Sequence, residues 1–90
     1  MLCAATAAER GLDVILLEPN RMMGKKLRIT GKGRCNVTNN CDIKTVMANI
    51  PTGGKFLYSA LNRFPPEKVM DLFENLGVPL KTERGNRVIY

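Results

Sequence analysis

Ninety residues, 44% apolar and 24% charged, make at most one small domain of ordinary globular composition with a thin stability margin. No apolar run approaches the ~20 residues that cross a bilayer as a helix, and the absence of histidine excludes His-based acid–base chemistry and Cys/His zinc sites. The net charge of +6 favours polyanionic partners: nucleic acid, acidic lipid or the phosphates of a cofactor.

Residues 1–10 are Ala-rich and read as a helix, which Gly11 closes. No Ser, Asp, Asn or Pro marks its first turn. No basic stretch precedes the apolar start and Arg10 ends it, so a signal peptide is not expected. Residues 13–18, DVILLE, form a continuous apolar run ending on an acid, the pattern of a strand buried on both faces of a parallel sheet. Helix, glycine, buried strand and terminal acid suggest the second half of a βαβ unit.

Pro19 and Asn20 break that strand. Residues 24–40 are glycine-punctuated and basic, and read as loop with one short helical turn. Residues 42–50 read as a short helix capped by Asn40 or Asp42. A Pro-Thr-Gly-Gly turn at 51–54 precedes an amphipathic helix over 55–64, with Phe56, Leu57, Ala60, Leu61 and Phe64 on one face. Pro65 and Pro66 stop it, and Pro66 opens a further helix through Leu76, closed by Gly77. Residues 78–83 and 87–90 read as two strands around Arg84, Gly85 and Asn86, a hairpin.

The chemistry concentrates between residues 18 and 39. Glu18 sits where a dinucleotide fold places the acid that accepts ribose hydroxyls; the alternative is a solvated acid at a strand end. From 19 to 41 there is no acid, but there are Arg21, Lys25, Lys26, Arg28, Lys32 and Arg34. Gly31 and Gly33 allow positive φ, letting the backbone approach a flat ring or form an anion nest. Arg34 offers a planar donor fork, and Asn36, Thr38 and Asn39 offer neutral hydrogen bonds. A solvated surface loop is the competing reading. The three cysteines, Cys3, Cys35 and Cys41, form no CxxC pair, which argues against a disulfide framework or a four-cysteine zinc site; a reducing compartment, the cytoplasm, fits. Cys35 reads as a small packing residue rather than a redox thiol, because no second cysteine lies at oxidoreductase spacing. Met22 and Met23 read as packing.

The run AAERGLDVILLE followed by GKKLRITGKGRCNVTN, with GGKFLYSALNRF and LGVPLKTERGNRVIY downstream, resembles the BaiN/RdsA-type (YhiN-like) family of NAD(P)/FAD-dependent oxidoreductases over essentially all ninety residues. The resemblance implies an α/β fold: an incomplete Rossmann-like FAD-binding domain over 1–50 running into the start of an inserted helix and hairpin substrate domain over 51–90. It implies FAD as cofactor, NAD(P)H as electron donor and a small-molecule substrate. Glu18 matches the ribose-binding acid. Thr30, Gly31, Gly33, Arg34, Cys35 and Asn36 match the loop close to the flavin, and Lys25 and Lys26 match basic positions before it. Lys32 departs from the small residue usual there. Laid down on ERG and LLE, the chain starts just after the family's GxGxxG phosphate loop. The expectation is therefore a clipped piece, a fragment or mis-started frame, that is inactive alone. The catalytic residues are not legible in the sequence, and no metal ligand or membrane contact is expected. A small basic nucleic-acid-binding module is the alternative; the lack of aromatics within the basic block counts against it.

Overall fold

The computed structural model describes residues 1–90. Helix α1 (Leu2–Glu9) begins at Met1 with no side-chain cap. It ends where Gly11, at φ 79°, turns the chain so that the Leu12 amide donates to the Ala7 carbonyl at 3.2 Å. Residues 12–18 then run without regular secondary structure. Helix α2 (Lys25–Ile29) leads through a 3-10 turn (Thr30–Gly33) into strand β1 (Asn36–Asn39). Three helices follow: α3 (Ile43–Ala48), α4 (Gly54–Arg63) and α5 (Pro66–Asn75). Strand β2 (Lys81–Glu83), a turn (Arg84–Asn86) and strand β3 (Arg87–Ile89) complete the chain.

Local chemistry accounts for most of these boundaries. Asp42 caps α3 by accepting the Thr45 amide at 2.8 Å. Pro66 occupies the first turn of α5, where its missing N–H costs nothing. At the other end of α5, Gly77 at φ 81° returns the Val78 amide to the Phe73 carbonyl at 3.0 Å.

The sheet is antiparallel, in the order β1-β3-β2. Thr82 faces Val88 on one side of β3 and Thr38 faces Val88 on the other, with an irregularity between Asn36 and Thr38. The central strand carries what core there is: Val88 is 0% and Ile89 7% exposed, and Pro66 is the remaining buried residue. Helix α5 lies against β1, and α3 packs on α4. The sheet thus joins β1, which precedes residue 50, to strands that follow residue 80.

Two expectations are corrected. The segment 13–18 pairs with no other strand and makes no backbone hydrogen bond. A strand is stabilised by its ladder and by burial, and here Ile15 and Leu17 are 87% and 88% exposed. Conversely, residues 36–39 form β1 rather than loop. Their own sequence, NVTN, carries a single apolar residue, and pairing with β3 about fifty residues later supplies the structure.

Candidate functional site

Glu18 ends the exposed apolar segment, and Asn20 Nδ2 donates to its Oε1 at 3.4 Å. Glu18 lines a cavity of about 540 Å³ together with Asn20, Gly24, Lys25 and Lys26. Gly24 supports the arrangement: at φ 67° it precedes the first residue of α2, and its carbonyl accepts the Arg28 amide at 3.0 Å. The result is a carboxylate acceptor with two cations at its side. That set suits a polyol next to a phosphate, since the acid accepts from hydroxyls while the ammonium groups balance phosphate charge.

Residues 30–36 form the second part. Gly31 (φ 60°), Lys32 (φ 56°), Gly33 (φ 85°) and Cys35 (φ 50°) all lie in the left-handed region. For Lys32 and Cys35 this costs about 1–2 kcal/mol each. Compensation comes from a local network: Thr30 Oγ1 donates to the Leu27 carbonyl at 2.8 Å and accepts the Asn36 amide at 3.3 Å. The Cys35 amide donates to the Thr30 carbonyl at 3.2 Å. The Asn36 side chain lies over Gly31, where a Cβ would sit 2.9 Å from Asn36 Oδ1. Glycine at 31 is favoured by its backbone angle, and a Cβ there would displace the Asn36 side-chain amide.

Arg34 is fixed by a residue that sequence reasoning missed. Its Nη1 donates to Glu83 Oε2 at 3.0 Å, and its Nε to the Gly31 carbonyl at 3.4 Å. Lys81 and Arg87 approach Glu83 at 4.0 Å, so every ion pair of the molecule ends on this one carboxylate. Forty-nine residues separate Arg34 from Glu83, and no local pattern announces the contact. Cys35 is half-buried, and its carbonyl accepts the Tyr90 amide at 3.4 Å, tying the loop to the end of β3. Cys3 is exposed, on a helix α1 that contains no buried residue.

The structure thus gathers the named residues into two groups. Glu18, Lys25 and Lys26 share one cavity; Thr30, Gly31, Gly33, Arg34, Cys35 and Asn36 form the adjoining loop. Asn36 lines neither of the two cavities that contain Glu18. No group of three Cys, Asp or Glu residues is placed to hold a metal ion.

Comparison with known proteins places these residues in context. The family described as "HI0933-like protein Rossmann domain" matches residues 1–90. The chain is 31% identical over 83 residues to the 3-dehydro-bile acid delta(4,6)-reductase of Clostridium scindens, a match covering 91% of this chain and 20% of that protein. It is 33% identical over 78 residues to the ribosomal RNA dihydrouridine synthase of Escherichia coli strain K12, covering 87% of this chain and 19% of that protein. The chain spans about a fifth of the length of these curated relatives.

Proposed function

The chain belongs to the HI0933-like Rossmann-domain family, and from that premise we propose that its ninety residues supply the ribose-binding and flavin-facing part of an FAD-dependent oxidoreductase. The observation that carries this reading is the cavity lined jointly by Glu18, Lys25 and Lys26. Glu18 accepts the adenosine ribose hydroxyls, and the two lysines balance the adjacent phosphate charge. The strained loop presents Gly33 as a surface with no side chain, and the Asn36 side chain lies over Gly31, so that the Cys35 backbone and the Asn36 amide approach the ring system closely. Arg34, braced by Glu83, holds positive charge next to that surface. FAD supplies the electron-transfer ring, with NAD(P)H as donor and a small molecule as substrate.

In this reading residues 1–50 belong to the FAD-binding domain and 51–90 begin the substrate domain, in a cytoplasmic enzyme. No helix is long and apolar enough to cross a membrane. The isolated ninety residues are expected to be inactive, because only three residues are buried, too small a core to hold the two groups of binding residues in fixed register.

The test is a chimera in which residues 1–90 replace the matching segment of the Escherichia coli relative. The chimera should retain flavin absorbance through gel filtration, whereas Glu18→Ala should weaken FAD binding about tenfold, the loss of charge-assisted hydrogen bonds to ribose. Equal FAD affinity in the chimera, its Glu18→Ala variant and its Asn36→Ala variant would refute the assignment. A second reading, RNA binding by the basic residues, draws on the acid-free stretch 19–41 and on the relative named for ribosomal RNA. Its mark is RNA retention with a steep salt dependence.

A further inference from the structure

Asn39, at the far end of β1, takes no part in the flavin surface proposed above. It lines a cavity of about 570 Å³ where β1 ends beside helix α3 and the turn before β3. None of the residues of this cavity borders those that contain Glu18, and roughly 10 Å of strand, at ~3.3 Å per residue, separates Asn39 from Asn36. Hydrogen bonds tie the walls together: the Asn40 amide donates to the Asn86 carbonyl at 2.7 Å, and Asn39 Nδ2 to the Gly85 carbonyl at 2.9 Å. Half-buried Cys41, Val46 and Ile50 form an apolar side, and exposed Asn39, Asn49 and Asn86 form a rim of carboxamides. No charged side chain lines the cavity, although the chain carries 14 Lys and Arg residues. Asn39 and Asn49 each use Nδ2 internally, Asn49 on the Thr45 carbonyl at 2.8 Å, and each keeps Oδ1 as an acceptor. Asn86 joins the wall through its backbone carbonyl, which leaves its whole carboxamide, a C=O beside an N–H, for a ligand.

We propose that this cavity binds an uncharged cyclic amide, a lactam or imide. A ring holds its amide cis, with N–H and C=O on the same side, and such an edge pairs with the Asn86 carboxamide through two parallel hydrogen bonds. The spare oxygens of Asn39 and Asn49 accept further N–H groups of the same ligand, and the ring rests on Val46 and Ile50. The volume falls within the roughly 300–1,000 Å³ of small-ligand sites. An anion meets carboxamide oxygens and no cation, so it loses its hydration without gaining a counter-charge. A polypeptide is disfavoured because a trans peptide bond points its N–H and C=O in opposite directions, and one carboxamide then engages only one of them. Cys41 in the same wall is a free thiol, so occupancy is readable as slower alkylation. The site does not depend on how Glu18 or the glycine loop is used.

The experiment titrates the ninety-residue chain, and separately the chimera with the Escherichia coli relative, with δ-valerolactam, the trans amide N-methylacetamide and the anion valerate. Binding is followed by ¹H–¹⁵N correlation spectra of the chain, and in both proteins by iodoacetamide alkylation of Cys41, resolved from Cys3 and Cys35 by fragment-ion mass spectrometry. Saturable shifts confined to the cavity residues are expected, with slower alkylation at Cys41 and no change at exposed Cys3. The lactam should bind at least about threefold more tightly than N-methylacetamide, and valerate should not bind. Asn86→Gly keeps the positive φ, should weaken lactam binding about fivefold and should remove the preference over N-methylacetamide. Asn49→Ala should weaken binding about threefold. The control Asn62→Ala removes an exposed asparagine with the same contact one turn back, to the Tyr58 carbonyl at 2.9 Å, and should bind within about twofold of the parent. No protection of Cys41 in either protein, equal affinity for the two amides, tighter binding of valerate, or an equal loss in the control variant would each overturn the proposal. Loss of FAD binding by the chimera with Cys41 protection intact would refute the cofactor assignment alone.

Discussion

Asp42 is a carboxylate whose protonation is tied to one helix end. The Thr45 side chain and then its amide hydrogen-bond to the carboxylate and hold its pKa below the ordinary 3.8. A folded-state pKa depressed in this way contributes stability that is fully present above the unfolded value and is lost as pH falls through the folded one. Asp42→Ala should therefore lower the urea midpoint at neutral pH, followed by circular dichroism. The gap to the parent should narrow on acidification below pH 3.8, where the parent cap becomes protonated. A gap independent of pH would show that the charge of the cap is irrelevant. The positive φ values at Lys32 and Cys35 belong to the same scale: neither residue prefers that conformation, and hydrogen bonds from their neighbours maintain it.

At the scale of elements, Glu83 joins strand β2 to the glycine loop and to β3. It faces Arg87 across the ladder and reaches Arg34 from the same position. Its side chain is 21% exposed and that of Arg34 50%, so the pair is partly screened and contributes no more than about 1 kcal/mol. Glu83→Gln leaves Arg34, Lys81 and Arg87 close together without their shared counter-charge. The expected outcome is a loss of about 0.5–1 kcal/mol in urea unfolding, together with faster tryptic cleavage after Arg34. Added salt should shrink the difference by screening the pair. Unchanged cleavage at Arg34 would mean that the local hydrogen bonds hold the loop without Glu83.

At the scale of the whole molecule, the accessible surface is 7687 Å², against about 5,200 Å² expected for a compact 10 kDa protein. The radius of gyration is 14.7 Å, against about 12 Å for ninety compact residues. Much of the excess is apolar, with Ile15, Leu17 and Phe56 nearly fully exposed. The segment 13–18 also leaves its backbone groups unpaired, a template for edge-to-edge association. The isolated chain should melt broadly and bind hydrophobic dyes. The double variant Ile15→Lys/Leu17→Lys should reduce aggregation in light scattering without lowering the melting midpoint, because neither side chain is buried. A lower midpoint would reveal burial of that segment in solution.

The sequence by itself determined the features that depend on near neighbours. The Pro65–Pro66 break, the helices on either side of it and the hairpin around Gly85 all follow from residues within a few positions of each other, as does the cap of α3, for which the sequence offered Asn40 or Asp42 and the structure uses Asp42. The family was also legible there, because GKGRCNVTN after the acid of DVILLE is a local string. Tertiary structure alone decided what depends on separation. Strand β1 exists because β3 lies beside it, the run 13–18 remains unpaired because no strand does, and Arg34 is held by an acid forty-nine residues away. Backbone pairing and ion contacts are settled by which segments meet in space, and short-range composition carries no record of that meeting.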